Sequence, residues 1–191
     1  MDPKDDIFYI GQVLKGKNYA FSYLVDKHKD KAYNLALRIC GNREEAEEIA
    51  QDAFLKAYRS LKTFRMKSSF ATWLYRIVYN TAISLVRTRK TRVLSIEDFP
   101  ADAVDFLDFS NSVEEADDDY RNSLINFALQ KISEEERGLI TLFYYNELDT
   151  EEISKITGIG RSNIKVRLFR ARQKMTEIIK KVEMKNVFFH E

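Results

Sequence analysis

Residues 53–92 carry ten Lys or Arg side chains and no Asp or Glu. The bases are Lys56, Arg59, Lys62, Arg65, Lys67, Arg76, Arg87, Arg89, Lys90 and Arg92. Seven aromatics stand among them: Phe54, Tyr58, Phe64, Phe70, Trp73, Tyr75 and Tyr79. Such a stretch repels itself until something anionic meets it. Basic side chains follow phosphates, and an aromatic face accepts an unstacked base. The chemistry is that of a surface that grips DNA and captures bases from one strand. The plainer alternative is a solvated helix face, but such faces mix both signs of charge.

A second cationic run lies at 161–174, where Arg161, Lys165, Arg167, Arg170, Arg172 and Lys174 occur with no acid. It follows a short segment headed by Asp149 and Glu152 and a turn containing Gly158 and Gly160. A short helix, a glycine turn and a basic second helix make the helix-turn-helix pattern. Ile164, Leu168, Ala171 and Met175 share the inward face. Asn163 and Lys165 suit base edges, whereas Arg167, Arg170 and Arg172 suit phosphates. Between the two cationic runs, residues 93–119 hold ten acids and no base. The formal net charge of +1 conceals this segregation.

The elements that must position these groups are helical. The chain has 191 residues, only two Pro and six Gly, and 45% hydrophobic content, which predicts an all-α fold. A helix is expected over 18–38, with Phe21, Leu24, Val25, Tyr33, Leu35, Ala36 and Ile39 at helical spacing and Gly41 as its stop. Asn42 with Glu45 fits a capping box for the next helix. Glu44, Glu45, Glu47, Glu48 and Asp52 give that helix an acidic head. The head complements the helix dipole, or docks a basic partner surface; a Mg²⁺ site is a weak third reading, since no second carboxylate set faces it. Residues 61–69 read as a loop. A helix over 70–86 puts Phe70, Trp73, Leu74 and Ile77 on one apolar face. Thr72, Arg76, Asn80 and Ser84 fall on one polar stripe. Asn80 is a poor mid-helix residue, and a base contact would account for it; simple solvation is the alternative. Residues 93–119, with Pro100, read as an irregular tether reaching roughly 90 Å. It is a plain solubilising spacer or an acidic mimic of nucleic acid. Residues 120–132 form a helix with Leu124, Phe127, Ala128 and Leu129 inward. Ser133 with Glu136 and Asp149 with Glu152 cap two more, and the basic helix runs to about residue 181.

Several classes are disfavoured. One cysteine, Cys40, and two histidines, His28 and His190, allow no internal disulfide and no Cys/His metal cluster. Cys40 reads as buried filler. No metal, cofactor, small-molecule substrate or catalytic residue is expected, because the acids lie in a tether and a helix head rather than converging. No secretory leader or membrane span is evident, which points to the cytoplasm. A duplex-binding repressor would explain 161–174 but leave the aromatic-basic stretch without a purpose.

Over residues 19–177 the chain resembles the extracytoplasmic-function (ECF) sigma factors of bacterial RNA polymerase. The motifs are EEAEEIAQDAFLKAYRSLKTF, SSFATWLYRIVYNTA, TEEISKITG and NIKVRLFRARQKM, in that order. The resemblance implies a region-two domain at 1–92, an acidic linker at 93–119 that threads the polymerase channel, and a region-four helix-turn-helix domain at 120–191. It implies that Glu47, Glu48, Gln51, Asp52 and Phe54 dock on the clamp helices of the largest polymerase subunit. Phe64, Arg65, Lys67 and Ser68, with Arg76 and Asn80, would capture the minus-ten element as single-stranded non-template DNA. Arg161, Ser162, Asn163, Lys165, Arg167 and Arg170 would read the minus-thirty-five duplex. An anti-sigma factor is the expected inhibitory partner. Ile132-Ser133 stands where the family usually has Leu-Pro, and Asn163 and Val166 stand where Thr and Ser are common. Opening about ten base pairs costs on the order of 14 kcal/mol. Each captured base returns only roughly 1–3 kcal/mol. The chain should therefore open DNA only together with core polymerase.

Overall fold

Helix ends in this chain fall where local hydrogen bonding sets them. The computed structural model describes residues 3–94 and 116–188, with side chains described over 6–91 and 120–184. Its N-terminal unit is α1 (Pro3–Leu14), α2 (Ala20–Cys40), α3 (Arg43–Ser60) and α4 (Phe70–Leu94). Its C-terminal unit is α5 (Ala116–Gln130), α6 (Glu134–Ile140), α7 (Thr150–Thr157) and α8 (Arg161–Phe188). Among the described residues there is no strand. The α1 helix is an addition to the sequence-based expectation. The expected tether at 93–119 is shorter than predicted, because residues 93–94 continue α4 and 116–119 begin α5. The remainder of that segment lies outside the described residues, as does His190.

The predicted caps form, except that the capping box expected at Asn42 is one-sided, because the Glu45 carboxylate turns to Arg89. Gly41 closes α2 at φ 76°, its N–H donating to Leu37 O, a left-handed conformation that glycine adopts without strain. The Asn42 side chain accepts from Glu45 N at 2.9 Å. Ser133 with Glu136 and Asp149 with Glu152 each make a reciprocal capping box. Ser69 heads α4, its Oγ accepting Thr72 N at 3.0 Å. Two boundaries differ from expectation. Leu61–Thr63, read as loop, is a 3₁₀ turn that tightens the end of α3. Residues 141–145 form a π-helical turn beyond α6. Helix α8 also runs past residue 181, to Phe188.

One apolar core continues from the N-terminal unit into the C-terminal unit. Leu24, Leu35, Leu74 and Val78 are fully buried at one end, and Leu139, Leu142, Ile153 and Ile164 at the other. Helix α4 lies between, packing on α2 and α3 on one side and on α7 and α6 on the other. The expected inward residues Leu124, Ala128 and Leu129 of α5 are buried, but Phe127 is 41% exposed, with Lys131 Nζ over its ring. Cys40 is buried.

Helix α1 is fastened by a buried charge cluster. Asp6 lies 2.8 Å from Lys27 Nζ and 3.1 Å from His28 Nε2. Burial works against the Asp6 charge, but the hydrogen bond with His28 and the ion pair with Lys27 outweigh it and hold the carboxyl below its ordinary value of 3.8. A depressed carboxyl stabilises the fold above its unfolded pKa and loses that contribution as pH falls through its folded value. Asp6→Asn is therefore expected to cost about 1–3 kcal/mol at neutral pH. Denaturant melts across a pH series check this: the gap between the two proteins should close in acid, below the ordinary carboxylate value.

Candidate nucleic-acid interface

Three groups of side chains were predicted, and the fold treats them differently. On α8, the core stripe is as expected, with Ile164, Leu168, Ala171 and Met175 buried. Ser162, Lys165 and Arg170 are exposed, and their side chains make no hydrogen bond or ion pair among the described residues. Arg161 pairs with Glu151 of α7 at 2.9 Å. Arg167 turns toward α6, where its guanidinium meets Glu135 at 3.1 Å, and its Nε donates to Asn163 Oδ1 at 3.3 Å. The predicted set is thus divided: part of it faces solvent and part is held by neighbouring acids. Two residues outside the prediction share the solvent side, Val166 (45% exposed) and Phe169 (52%). Both fall off the buried stripe of α8, which is the signal that could have found them. An apolar side chain beside exposed cations is what a thymine methyl can use.

The loop and α4 form the second group. Arg65 and Lys67 are exposed in the loop, and Met66 between them is left-handed at φ 53°. Arg76 and Asn80 are exposed one turn apart on α4. Phe64 is half-buried: its ring lies 5.2 Å from Trp73 and 6.0 Å from Phe70. The Ser68 hydroxyl donates to Ser69 O. Thr72, expected on the polar stripe, is buried, and its hydroxyl donates to Glu152 of α7 at 3.0 Å.

The picture of seven aromatics as base platforms needs correction. Phe54, Phe70, Tyr75 and Tyr79 are buried, and Trp73 packs on the core. Burial pushes the Tyr75 and Tyr79 hydroxyls up to about 12. Asn146 of the C-terminal unit, itself buried, offsets part of the rise at Tyr75. These rings fill the space between α4 and the C-terminal unit. Among the seven, Tyr58 alone is exposed, at 37%.

The acids that the sequence keeps away from α4 reach it through space. Arg87 meets Glu135 at 3.0 Å and Lys90 meets Glu134 at 2.9 Å. Arg89 bonds Glu45 at 3.1 Å and Cys40 O at 3.3 Å, which sets its charge on the negative end of α2.

The third group lies on α3. Glu47, Gln51 and Phe54 line an open groove of about 890 Å³ between α2 and α3, together with Phe21, Leu55 and Tyr58. Phe54 itself is only 8% exposed, whereas Leu55, which was not predicted, is 53% exposed. Glu48 is exposed, and Asp52 pairs with Lys56 at 2.7 Å. Among the described residues no group of three His, Cys, Asp or Glu is placed to hold a metal ion. Nor is any helix long and apolar enough to cross a membrane.

Comparison with known proteins bears directly on this arrangement. Residues 24–92 match the Sigma-70 region 2 family and residues 124–175 match Sigma-70, region 4. The chain is 34% identical over 182 residues to the ECF RNA polymerase sigma factor SigW of Bacillus subtilis, covering 86% of this chain and 91% of that protein. It is 32% identical over 171 residues to the RNA polymerase sigma-H factor of Pseudomonas aeruginosa, covering 86% and 88%. The chain belongs to the ECF sigma factor family. Sigma factors direct promoter recognition and transcription initiation, and that is the function of this one. Two solved structures share its fold. CnrH, in complex with the cytosolic domain of CnrY, superposes with a TM-score of 0.67 over 93% of this chain and 98% of that one, at 21% identity. RpoE of Bartonella quintana, in complex with the anti-sigma factor NepR, gives 0.66 over 84% and 96%, at 23% identity. In this ECF sigma factor the region-four helix-turn-helix is α7 and α8, and the acidic head of α3 lies within region two.

Proposed function

We propose a division of labour among the surfaces of this sigma factor. Residues 1–92 dock on core RNA polymerase and capture the minus-ten element, 93–119 are the tether, and 120–191 read the minus-thirty-five element. Docking uses Glu47, Glu48, Gln51 and Asp52 with the apolar floor of the groove, to which Phe54, Leu55 and Tyr58 contribute. Arg65, Lys67, Arg76 and Asn80 meet the displaced strand, with Phe64 and Ser68 shaping the loop. Ser162, Lys165 and Arg170 face the duplex, with Val166 and Phe169 as apolar contacts and with Arg161, Asn163 and Arg167 at the margin. The protein is an initiation factor of the cytoplasm and not a catalyst. The two solved relatives held by CnrY and NepR support an inhibitory anti-sigma partner for this chain as well.

The observation that carries the docking assignment is the groove on α3, an apolar surface set beside exposed acids. Exposed aromatic and aliphatic anchors ringed by charge are where association energy concentrates. Pull-down of core polymerase subunits by the purified chain, followed by transcript mapping with the reconstituted enzyme, tests the whole reading. A chain that neither binds core polymerase nor starts transcripts would overturn it. Locally, Leu55→Ala is expected to weaken holoenzyme assembly about tenfold, since truncating an interface anchor costs about 1–2 kcal/mol. Its melting temperature should not move, because the side chain faces solvent. Equal polymerase affinity for the two proteins would place the docking surface elsewhere.

A further inference from the structure

Two arginines outside the DNA-binding sets line one cleft, where α2 meets α5 and α6. Arg38 comes from α2 and Arg137 from α6, and Asn34, Asn126 and Gln130 complete the polar lining. Leu37 and Leu129, both buried, supply the apolar part. No acid lines the cleft. Each of these residues stands on a helix, so the cleft is held by rigid elements rather than by a loop.

The protein itself does not use up these donors. Arg38 meets no carboxylate among the described residues. Its guanidinium carbon lies 3.7 Å from the centre of the Tyr145 ring. Such stacking occupies the face of the group and leaves the N–H donors at its edge. Arg137, with 11% of its side chain exposed, reaches one acid, Glu134, at 3.4 Å. That carboxylate already takes Lys90 at 2.9 Å. The Arg137 Nε is buried with no hydrogen-bond partner among the described residues. An orphaned buried donor is rare enough in a folded chain to need a cause. The amide side chains of Asn34, Asn126 and Gln130 likewise make no hydrogen bond among the described residues. Burial lowers the pKa of both arginines, and repulsion from Arg89 adds to this at Arg137. Both effects are relieved by a negative charge placed beside them.

The size of the cleft limits what that charge can be. Its enclosed part is about 20 Å³, room for about one water-sized group. A nucleobase or sugar ring does not enter. One oxygen of a tetrahedral anion does, leaving the other oxygens at the mouth. A planar guanidinium fork pairs with two oxygens of such an anion at once, which a halide cannot offer.

We propose that this cleft binds a phosphate-class oxyanion, taken either as free inorganic phosphate or as the terminal phosphoryl group of a nucleotide. Arg38 and Arg137 supply the charge, and Asn34, Asn126 and Gln130 supply neutral donors. The bound anion joins α2 to α5 and α6, so it stabilises the fold by mass action. None of these residues belongs to the proposed DNA or polymerase surfaces. The site goes beyond the sigma-factor reading and does not depend on it.

Phosphorus NMR tests it, with sodium phosphate and the full chain at an ionic strength fixed by sodium chloride. The phosphate line should broaden saturably, with a Kd of about 1 mM or tighter. Arg38→Gln should weaken binding at least about tenfold, through loss of charge-assisted hydrogen bonds. Asn126→Asp, nearly isosteric, sets a carboxylate in the cleft and should abolish binding with its helical circular dichroism intact. It carries the test if the arginine variant misfolds. Adenosine triphosphate without metal separates the two sources. Affinity equal to that of phosphate assigns the free ion, and binding at least about tenfold tighter that is also lost in Asn126→Asp assigns the nucleotide. Line widths that follow total salt without saturating would overturn the site. So would phosphate binding that survives Asn126→Asp but falls in Arg170→Ala, since the anion would then lie on the DNA-binding face.

Discussion

Asn80→Ala lowers open-complex formation by about tenfold or more and leaves association with core polymerase unchanged. The side chain is exposed on α4, one turn from Arg76, and makes no hydrogen bond among the described residues. Removing it costs the fold nothing, because alanine is the better helix former. On the proposed role, what is lost is contact with a captured base, worth roughly 1–3 kcal/mol. Each 1.4 kcal/mol is a factor of ten. Permanganate reactivity of promoter thymines in the reconstituted enzyme measures the first effect, and pull-down measures the second. If association falls in parallel with opening, Asn80 supports the domain rather than the DNA.

Leu74→Ala destabilises the chain by about 2–5 kcal/mol, the cost of a leucine-sized cavity in a packed core. Leu74 has no solvent exposure and lies on α4, the N-terminal helix against which the C-terminal unit packs. For a chain of this size that loss corresponds to a fall in melting temperature of roughly 5–15 °C. Thermal melts followed by circular dichroism check it, with the exposed Leu55→Ala as the comparison. A change below about 1 kcal/mol would mean that the core closes over the cavity and that α4 is not its centre.

The two predictions depend on opposite faces of one helix, and these were not equally legible in the sequence. The spacing of Phe70, Trp73, Leu74 and Ile77 showed one apolar face, and Asn80 stood out as a poor mid-helix residue. The burial of Tyr75 and Tyr79 was not readable. A helix that is apolar most of the way round declares that it is enclosed, but its periodicity does not name the neighbour on each side. Aromatics set among bases carry the same pattern whether they stack on nucleotides or on another helix. The Thr72–Glu152 contact joins residues 80 positions apart, beyond the reach of any local pattern. The docking surface shows the same limit. Glu47 stood out in the acidic helix head and Gln51 followed from the family resemblance, but the exposure of Leu55 depends on how α2 lies against α3.

The sequence by itself determined the all-helical class, the capped ends of several helices and the buried stripe of α8. Asn42, Gly41, Ser133 with Glu136, Asp149 with Glu152 and Gly158 set those ends through bonds spanning a few residues, so their effect is local and readable in order. The motifs that mark it as a sigma factor are also continuous in the chain. Only the tertiary structure decided which cations remain open to DNA and which rings are interior. Charge and apolar surface are satisfied by whatever lies nearest in space, and for Arg87, Lys90 and Tyr79 the neighbours are Glu135, Glu134 and Gly138, on a helix more than forty positions away.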